Sequence, residues 1–300
     1  MREAHPGLPD FDYVRPADLE EASRFLAQNP QTARPFMGGT DTFVRLRDGF
    51  WKETRYLVDV KNLDGRSEIT FDPQKGLTVG AAVSMNQVVA NPRVGSHYSL
   101  LAQAAHRVAS YQLRTRATLV GNVCNASPAG DTLGACLLFG GVLRVHGVEG
   151  FRDEPLASFF QGPGRTALKP GDIVTAIRFP LPVPGSVGHY EKLGRNLLSD
   201  LAIVGVTVLG HPDSSTASGY RFHLALASVG PVPVVLPDLL TQAPVTPEAL
   251  EEAAGQAMES CHPIDDVRGS ARYRKLMVRN LSRRALTRVW EGLQSGYRGE

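Results

Sequence analysis

The stretch Ala33-Arg34-Pro35-Phe36-Met37-Gly38-Gly39-Thr40-Asp41 reads as a short strand, Ala33 to Met37, running into a pair of glycines. Beyond it, Phe43, Val44 and Leu46 predict a short helix that Gly49 ends. A strand, glycine turn and helix in that order let the backbone pass close to a ligand, because glycine has no Cβ, and the helix N-terminus favours an anion. A second unit of the same kind is Ala117-Thr118-Leu119-Val120-Gly121-Asn122, a β-like run into a glycine. Pro128-Ala129-Gly130-Asp131 then opens an apolar helix, Leu133 to Phe139. Two such turns in one domain suit a diphosphate gripped from both sides, although a Gly-Gly pair after a strand also serves as a plain turn. Neither unit has the G-x-G-x-x-G or P-loop spacing, which disfavours a dinucleotide-binding doubly wound fold and an NTPase.

Outward from these turns, a first helix from Pro16 carries Leu19, Ala22, Phe25 and Leu26 on one face. Tyr56 to Val60, Glu68 to Phe71 and Leu77 to Gly80 read as strands, Ser84 as the N-cap of a helix through Ala90, and Leu100 to Val108 as a buried helix. After Gly150 four strands are predicted, Asp172 to Phe179, His189 to Leu193, Leu201 to Leu209 and Arg221 to Val229. Helices at Pro247 to Ser260 and Ser270 to Trp290 follow. The order predicts an α+β C-terminal domain, 186–292, after a larger domain, 1–182, with Pro180 to Gly185 as linker.

Composition narrows the function. With 32 Lys+Arg against 30 Asp+Glu and no basic stripe, nucleic acid is a poor partner. No apolar run approaches the ~20 residues that span a bilayer, and the first residues lack a signal-peptide core, so a cytoplasmic protein without membrane insertion is expected. The three cysteines, Cys124, Cys136 and Cys261, are too few for an iron–sulfur cluster, which usually takes about four thiolates, and no metal-ligand spacing stands out. Redox chemistry would therefore need a bound organic cofactor.

Four segments in order resemble one family: Arg34 to Asp41; Ala117 to Asn122 with Asn125 to Asp131; Tyr190-Glu191-Lys192-Leu193; and Asp266 to Arg274. They are similar to the FAD-binding medium subunit of the molybdenum hydroxylases, which include xanthine dehydrogenases, aldehyde oxidoreductases and aerobic carbon monoxide dehydrogenases. The resemblance covers nearly the whole chain. It implies a two-lobed FAD-binding domain of the vanillyl-alcohol-oxidase or PCMH type, followed by a smaller α+β domain with an antiparallel sheet and helices. It also implies a heterotrimer, or a dimer of heterotrimers, with a molybdenum–pterin large subunit and a [2Fe-2S] small subunit.

In that family the first turn holds the FAD diphosphate, which falls on Arg34, Pro35, Phe36, Met37, Gly38, Gly39, Thr40 and Asp41. The second turn falls on Thr118, Gly121 and Asn122, the family's acid on Asp131, and further positions near the cofactor on Val108, Val174 and Lys192. Val120 stands where the family usually has a first glycine, and Val108 where some relatives have an aromatic against the flavin. Several of these residues also admit plainer roles. Lys192 serves equally as a surface lysine beside Glu191, Asp131 as the N-cap of the helix from Leu133, Cys124 as a packed thiol, and Arg114 and Arg116 as part of a solvated turn. The resemblance implies an electron-transfer subunit with no substrate site of its own. Two other readings remain: a nucleotide-binding scaffold that has lost redox function, and a free-standing flavin oxidase.

Overall fold

The computed structural model describes residues 8–63, 67–196 and 199–296. The first lobe is built from β1 (Asp12–Val14), α1 (Leu19–Gln28), β2 (Ala33–Phe36), α2 (Thr42–Arg47) and β3 (Tyr56–Asp59), with the three strands parallel in the order β1-β3-β2. Asp18, not Pro16, starts α1: its carboxylate accepts the Glu21 N–H at 2.8 Å, satisfying a donor that the helix cannot satisfy internally. Ala22 and Leu26 of α1 pack on Val58 and Val60. On the other side of the sheet, Phe36, Leu46 and Leu57 form a small cluster closed by Trp51.

The second lobe comprises β4 (Ile69–Asp72), β5 (Gly76–Gly80), α3 (Met85–Ala90), α4 (Pro92–His97), α5 (Ser99–His106), α6 (Tyr111–Arg114), α7 (Leu119–Asn125) and α8 (Leu133–Leu138). It continues through β6 (Val142–Gly147), β7 (Gly150–Pro155), the short pair β8 (Phe160–Gly162) and β9 (Arg165–Thr166), and β10 (Ile173–Phe179). Its main sheet is antiparallel, β4-β5-β10-β6-β7. The strand expected at Asp172 to Phe179, ahead of the linker, is the central strand of this sheet. Ser84 caps α3 as expected, in a reciprocal capping box with Gln87.

One expectation is corrected here. Ala117 to Asn122 is not a strand running into a glycine turn. Thr118 makes only an isolated bridge to Ser84, and its hydroxyl then accepts the Gly121 N–H at 3.0 Å, which makes Thr118 the N-cap of α7. Capping outweighs the β preference of Thr118 and Val120, and Val120 becomes a buried helical residue.

The last domain holds β11 (Val187–Leu193), β12 (Val204–Pro212), β13 (Tyr220–Ala227) and β14 (Val234–Leu239), antiparallel in that order, with α9 (Pro247–Glu259) and α10 (Ala271–Ser295) on one face. The second lobe covers part of the other face. A Cβ on Gly134 of α8 would overlap the Thr207 hydroxyl, and one on Gly188 would meet Leu100 of α5 at 2.6 Å. Sandwiched in this way, β12 is buried over nearly its whole length, which explains its continuous apolar sequence.

Candidate functional site

A cleft of about 420 Å³ opens between the first two lobes. One wall is the turn after β2. Gly39 has φ +78°, in the left-handed region that glycine enters at little cost, and a Cβ there would also meet the Phe36 ring at 2.8 Å. Gly38 needs space rather than an unusual φ: a Cβ would overlap the Arg116 carbonyl oxygen in the second lobe. The two glycines thus let the first lobe's turn lie against the backbone that leads into α7. Asp41 begins α2, and burial raises its carboxyl pKa, partly offset by Arg45 and Asn125.

The facing wall carries Thr118, Val120, Gly121 and Asn122 from the first turn of α7, with Val108 and Val174 as apolar surface. The Thr118 hydroxyl already holds the Gly121 N–H, and Asn122 Oδ1 accepts the Thr132 hydroxyl at 2.7 Å. This wall therefore presents a pinned helix end, not a second flexible glycine turn. Across the cleft, Arg45 of α2 donates to Asn125 Oδ1 at 2.7 and 3.1 Å, tying the two lobes together. Arg114 is also structural: it is buried and donates to the Val108 and Ala109 carbonyls at 3.0 and 3.3 Å, fixing the bend where Ala109 has φ +41°. Burial pushes the Cys124 thiol up to about 12, so it is a protonated, packed group.

Asp131 joins the cleft to the C-terminal domain. Its carboxylate accepts the Tyr190 hydroxyl at 2.6 Å and Lys192 Nζ at 2.8 Å, and Lys192 also donates to the Arg107 carbonyl at 3.1 Å. It therefore does not cap α8, whose N-cap is Thr132. Strand alternation explains the grouping: Gly188, Tyr190 and Lys192 point toward the second lobe, while Glu191 points the other way and pairs with Arg284 of α10. Burial raises the Asp131 pKa more than Lys192 and Tyr190 pull it back. Burial, then the adjacent Asp131 charge, raises the Tyr190 phenol well above its ordinary range, so it remains a neutral donor.

Of the residues singled out in the sequence, Arg34, Pro35, Met37, Gly38, Gly39, Thr40, Asp41, Val108, Thr118, Gly121, Asn122, Asp131 and Val174 line one cleft. Two do not line it. Phe36 turns into the first lobe's core because it sits on the buried face of β2, and Lys192 stands behind Asp131 with a side chain only 6% exposed. Lys192 is thus neither a surface lysine nor a wall of the cleft. Tyr190 belongs to the third family-like segment but carries no expected role there, although period-2 alternation with Lys192 is a usable signal; Trp51 and Arg45, which also line the cleft, have no such signal.

A two-lobed fold with a glycine-turn cradle facing a helix end, and a third domain closing one side, defines a nucleotide-cofactor-binding protein of the flavoprotein type. Residues 9–182 match the FAD binding domain in molybdopterin dehydrogenase, and residues 188–289 match the CO dehydrogenase flavoprotein C-terminal domain. The chain belongs to this family of molybdopterin dehydrogenase FAD-binding proteins. It is 30% identical to the carbon monoxide dehydrogenase medium chain of Hydrogenophaga pseudoflava, over 94% of this chain and 98% of that one. To the putative xanthine dehydrogenase FAD-binding subunit of Escherichia coli (strain K12) it is 28% identical, over 93% and 96% of the two chains. Among solved structures, carbon monoxide dehydrogenase from Hydrogenophaga pseudoflava superposes with a TM-score of 0.88 at 28% identity, covering 95% of this chain and 98% of that chain.

Proposed function

We propose that this chain is the FAD-carrying electron-transfer subunit of a multi-subunit molybdenum hydroxylase. In this reading a molybdenum–pterin subunit hydroxylates the substrate, a [2Fe-2S] subunit relays the electrons, and this chain passes them to an external acceptor. Bound FAD supplies an isoalloxazine that accepts electrons singly or in pairs. The observation that carries the proposal is the juxtaposition of the Gly38–Asp41 turn and the Thr118–Asn122 helix end across one cleft, held by Arg45 on Asn125. The residues present fit the cofactor: Gly38 and Gly39 let the turn close against the Arg116 carbonyl and the Phe36 ring, which a Cβ at either position would prevent, and Val108 and Val174 offer apolar surface for a flat ring.

The division of labour follows from the side chains. Gly38, Gly39, Thr40 and Asp41 would hold the diphosphate from one side and Thr118 and Asn122 from the other. Asp131, fixed by Tyr190 and Lys192, would present a carboxylate of set orientation to the cofactor, and Lys192 places a positive charge one residue behind it. Because both side chains of the pair are over nine-tenths buried, the charges are weakly screened and act on whatever occupies the cleft. A heterotrimer, or a dimer of heterotrimers, and a cytoplasmic location belong to the same proposal; among the described residues no helix is long and apolar enough to cross a membrane. Mild purification followed by metal and flavin analysis tests it. Molybdenum, iron and FAD travelling with the chain support the reading; a colourless chain that cannot take up FAD contradicts it.

A further inference from the structure

One face of the C-terminal sheet carries a histidine pair, remote from the residues that line the cleft. The antiparallel register sets Leu209 of β12 opposite His223 of β13, and His211 opposite Arg221, so these four side chains share one face. Leu209 packs into the core of the second lobe, whereas Phe222 and Leu224 on the opposite face pack with α9 and α10. The pair therefore lies on the side of the sheet that meets the second lobe. His211 and His223 are diagonal neighbours, both half-buried, with ring centres 5.7 Å apart and planes 32° apart. A metal held by one nitrogen of each ring, at about 2.0–2.1 Å, sits between rings whose centres are about 5 Å apart, close to this spacing.

The polar atoms around the rings suit a cation. The Pro212 carbonyl, 3.0 Å from His211 Nδ1, can only accept, so Nδ1 carries the proton and Nε2 presents its lone pair. Neither Nε2 has a hydrogen-bond partner among the described residues, and His223 Nδ1 receives only a long contact, 3.4 Å, from the Asp238 N–H. Beside the rings, Arg221 pairs with Asp213 at 2.7 Å and with Asp238 at 2.5 Å, so these three side chains together carry one negative charge. Among the described residues no group of three or more His, Cys, Asp and Glu side chains could hold a metal ion, so water must complete the coordination. We propose that His211 and His223 form a two-histidine site for a divalent transition-metal ion, with copper(II) bound more tightly than zinc(II). Two imidazoles and water oxygens match the tetragonal N,O set of copper(II), which also stands highest in the affinity order of the first-row ions. Because each ligand comes from a different strand, the bound ion cross-links β12 to β13 where they support the second lobe.

The test titrates copper(II) and, separately, zinc(II) into the full chain after dialysis against a chelator and then against metal-free buffer. Calorimetry gives the affinity, and electron paramagnetic resonance of the copper(II) form counts the coordinating nitrogens. The site predicts one tight copper(II) ion per chain with two imidazole nitrogens, weaker zinc(II), and a melting temperature that rises with bound metal. His211→Ala and His223→Ala should each weaken copper(II) by about tenfold or more, remove one nitrogen from the spectrum and abolish the metal-dependent rise in melting temperature. Melting temperatures without metal show whether each variant is folded, and His211→Gln and His223→Gln, which keep more of the side-chain volume, replace an alanine variant that is not. Unchanged copper(II) affinity in a folded variant at either position would overturn the site. So would a spectrum without two imidazole nitrogens, zinc(II) bound as tightly as copper(II), or an unmodified chain that binds no copper(II).

Discussion

Gly38→Ala isolates the close approach of the two lobes. Gly38 does not have a positive φ, so an alanine there introduces no backbone strain of the left-handed kind. What it introduces is a methyl group on top of the Arg116 carbonyl oxygen, a backbone atom that cannot swing aside. Restoring van der Waals contact requires the turn and the start of α7 to separate by on the order of 1 Å. Overpacking of this kind costs about 1–3 kcal/mol in stability. Its effect on cofactor binding is larger, because both walls of the diphosphate site move. Hydrogen bonds to a charged group contribute about 1.5–3 kcal/mol each, so losing two of them weakens FAD by about a hundredfold or more.

Gly39→Ala provides the contrast. It forces an alanine to φ +78°, a strain of about 1–2 kcal/mol, but its methyl meets side-chain atoms, the rims of the Phe36 and Phe43 rings, and not the backbone of the facing lobe. Flavin content after gel filtration and calorimetric titration with FAD should therefore rank the chains unmodified, Gly39→Ala, Gly38→Ala, in order of falling affinity. A Gly38→Ala chain that binds FAD as tightly as the unmodified one would show that the lobes do not need to meet there.

Lys192→Ala leaves the buried Asp131 carboxylate with the Tyr190 hydroxyl and the Arg107 charge; breaking such a pair should destabilise the chain by about 3–5 kcal/mol, read as a lower melting temperature, and should shift the flavin midpoint potential more than the flavin content. An unchanged potential would remove Lys192 from the redox account. Arg274 is 2% exposed and donates to the Ile203 and Ser228 carbonyls and to Asp266, while the Ser228 N–H donates to the Pro128 carbonyl beside the cleft. Arg274→Met should lower the melting temperature and, through Pro128, weaken FAD; a loss of stability with full FAD affinity would show that the cleft wall stands without this support. Partial burial raises the Asp266 pKa, but the Arg268 amide and the guanidinium groups of Arg268 and Arg274 outweigh it and hold the carboxyl at about 2. Its stabilising contribution is full above the ordinary value of 3.8 and is lost as the pH falls from there toward about 2, so Asp266→Asn should flatten that part of the melting curve against pH. Parallel acid limbs in the two proteins would contradict this.

Local chemistry explains which parts of the fold were legible. The first glycine turn could be read because positive φ and close approach both demand glycine, and the Ser84 cap because its partner, Gln87, is three residues away. The second unit differs from the expectation because Thr118, Leu119 and Val120 favour a strand, whereas the Thr118 cap on the Gly121 N–H and the Asn122 N–H donating to the Thr118 carbonyl start a helix there. The β6–β7 hairpin carried a usable signal, Leu143 and Val145 alternating with Arg144 and His146, that the reading passed over. Other features have no local signature. Tyr190 and Lys192 reach Asp131 across 59 and 61 residues, and Arg45 reaches Asn125 across 80, so only the folded chain reveals the buried acid and the tie between lobes. Phe36 was assigned to the cofactor as part of a motif, although its place on the buried face of β2 turns it into the core.

The central claim is that one FAD lies between the first two lobes with its diphosphate clamped by both. A crystal structure of the FAD-loaded chain measures this directly. The account predicts diphosphate oxygens within hydrogen-bond distance of the Gly38–Asp41 turn on one side and of Thr118 or Asn122 on the other. A diphosphate touching neither segment, or FAD bound outside this cleft, would contradict it.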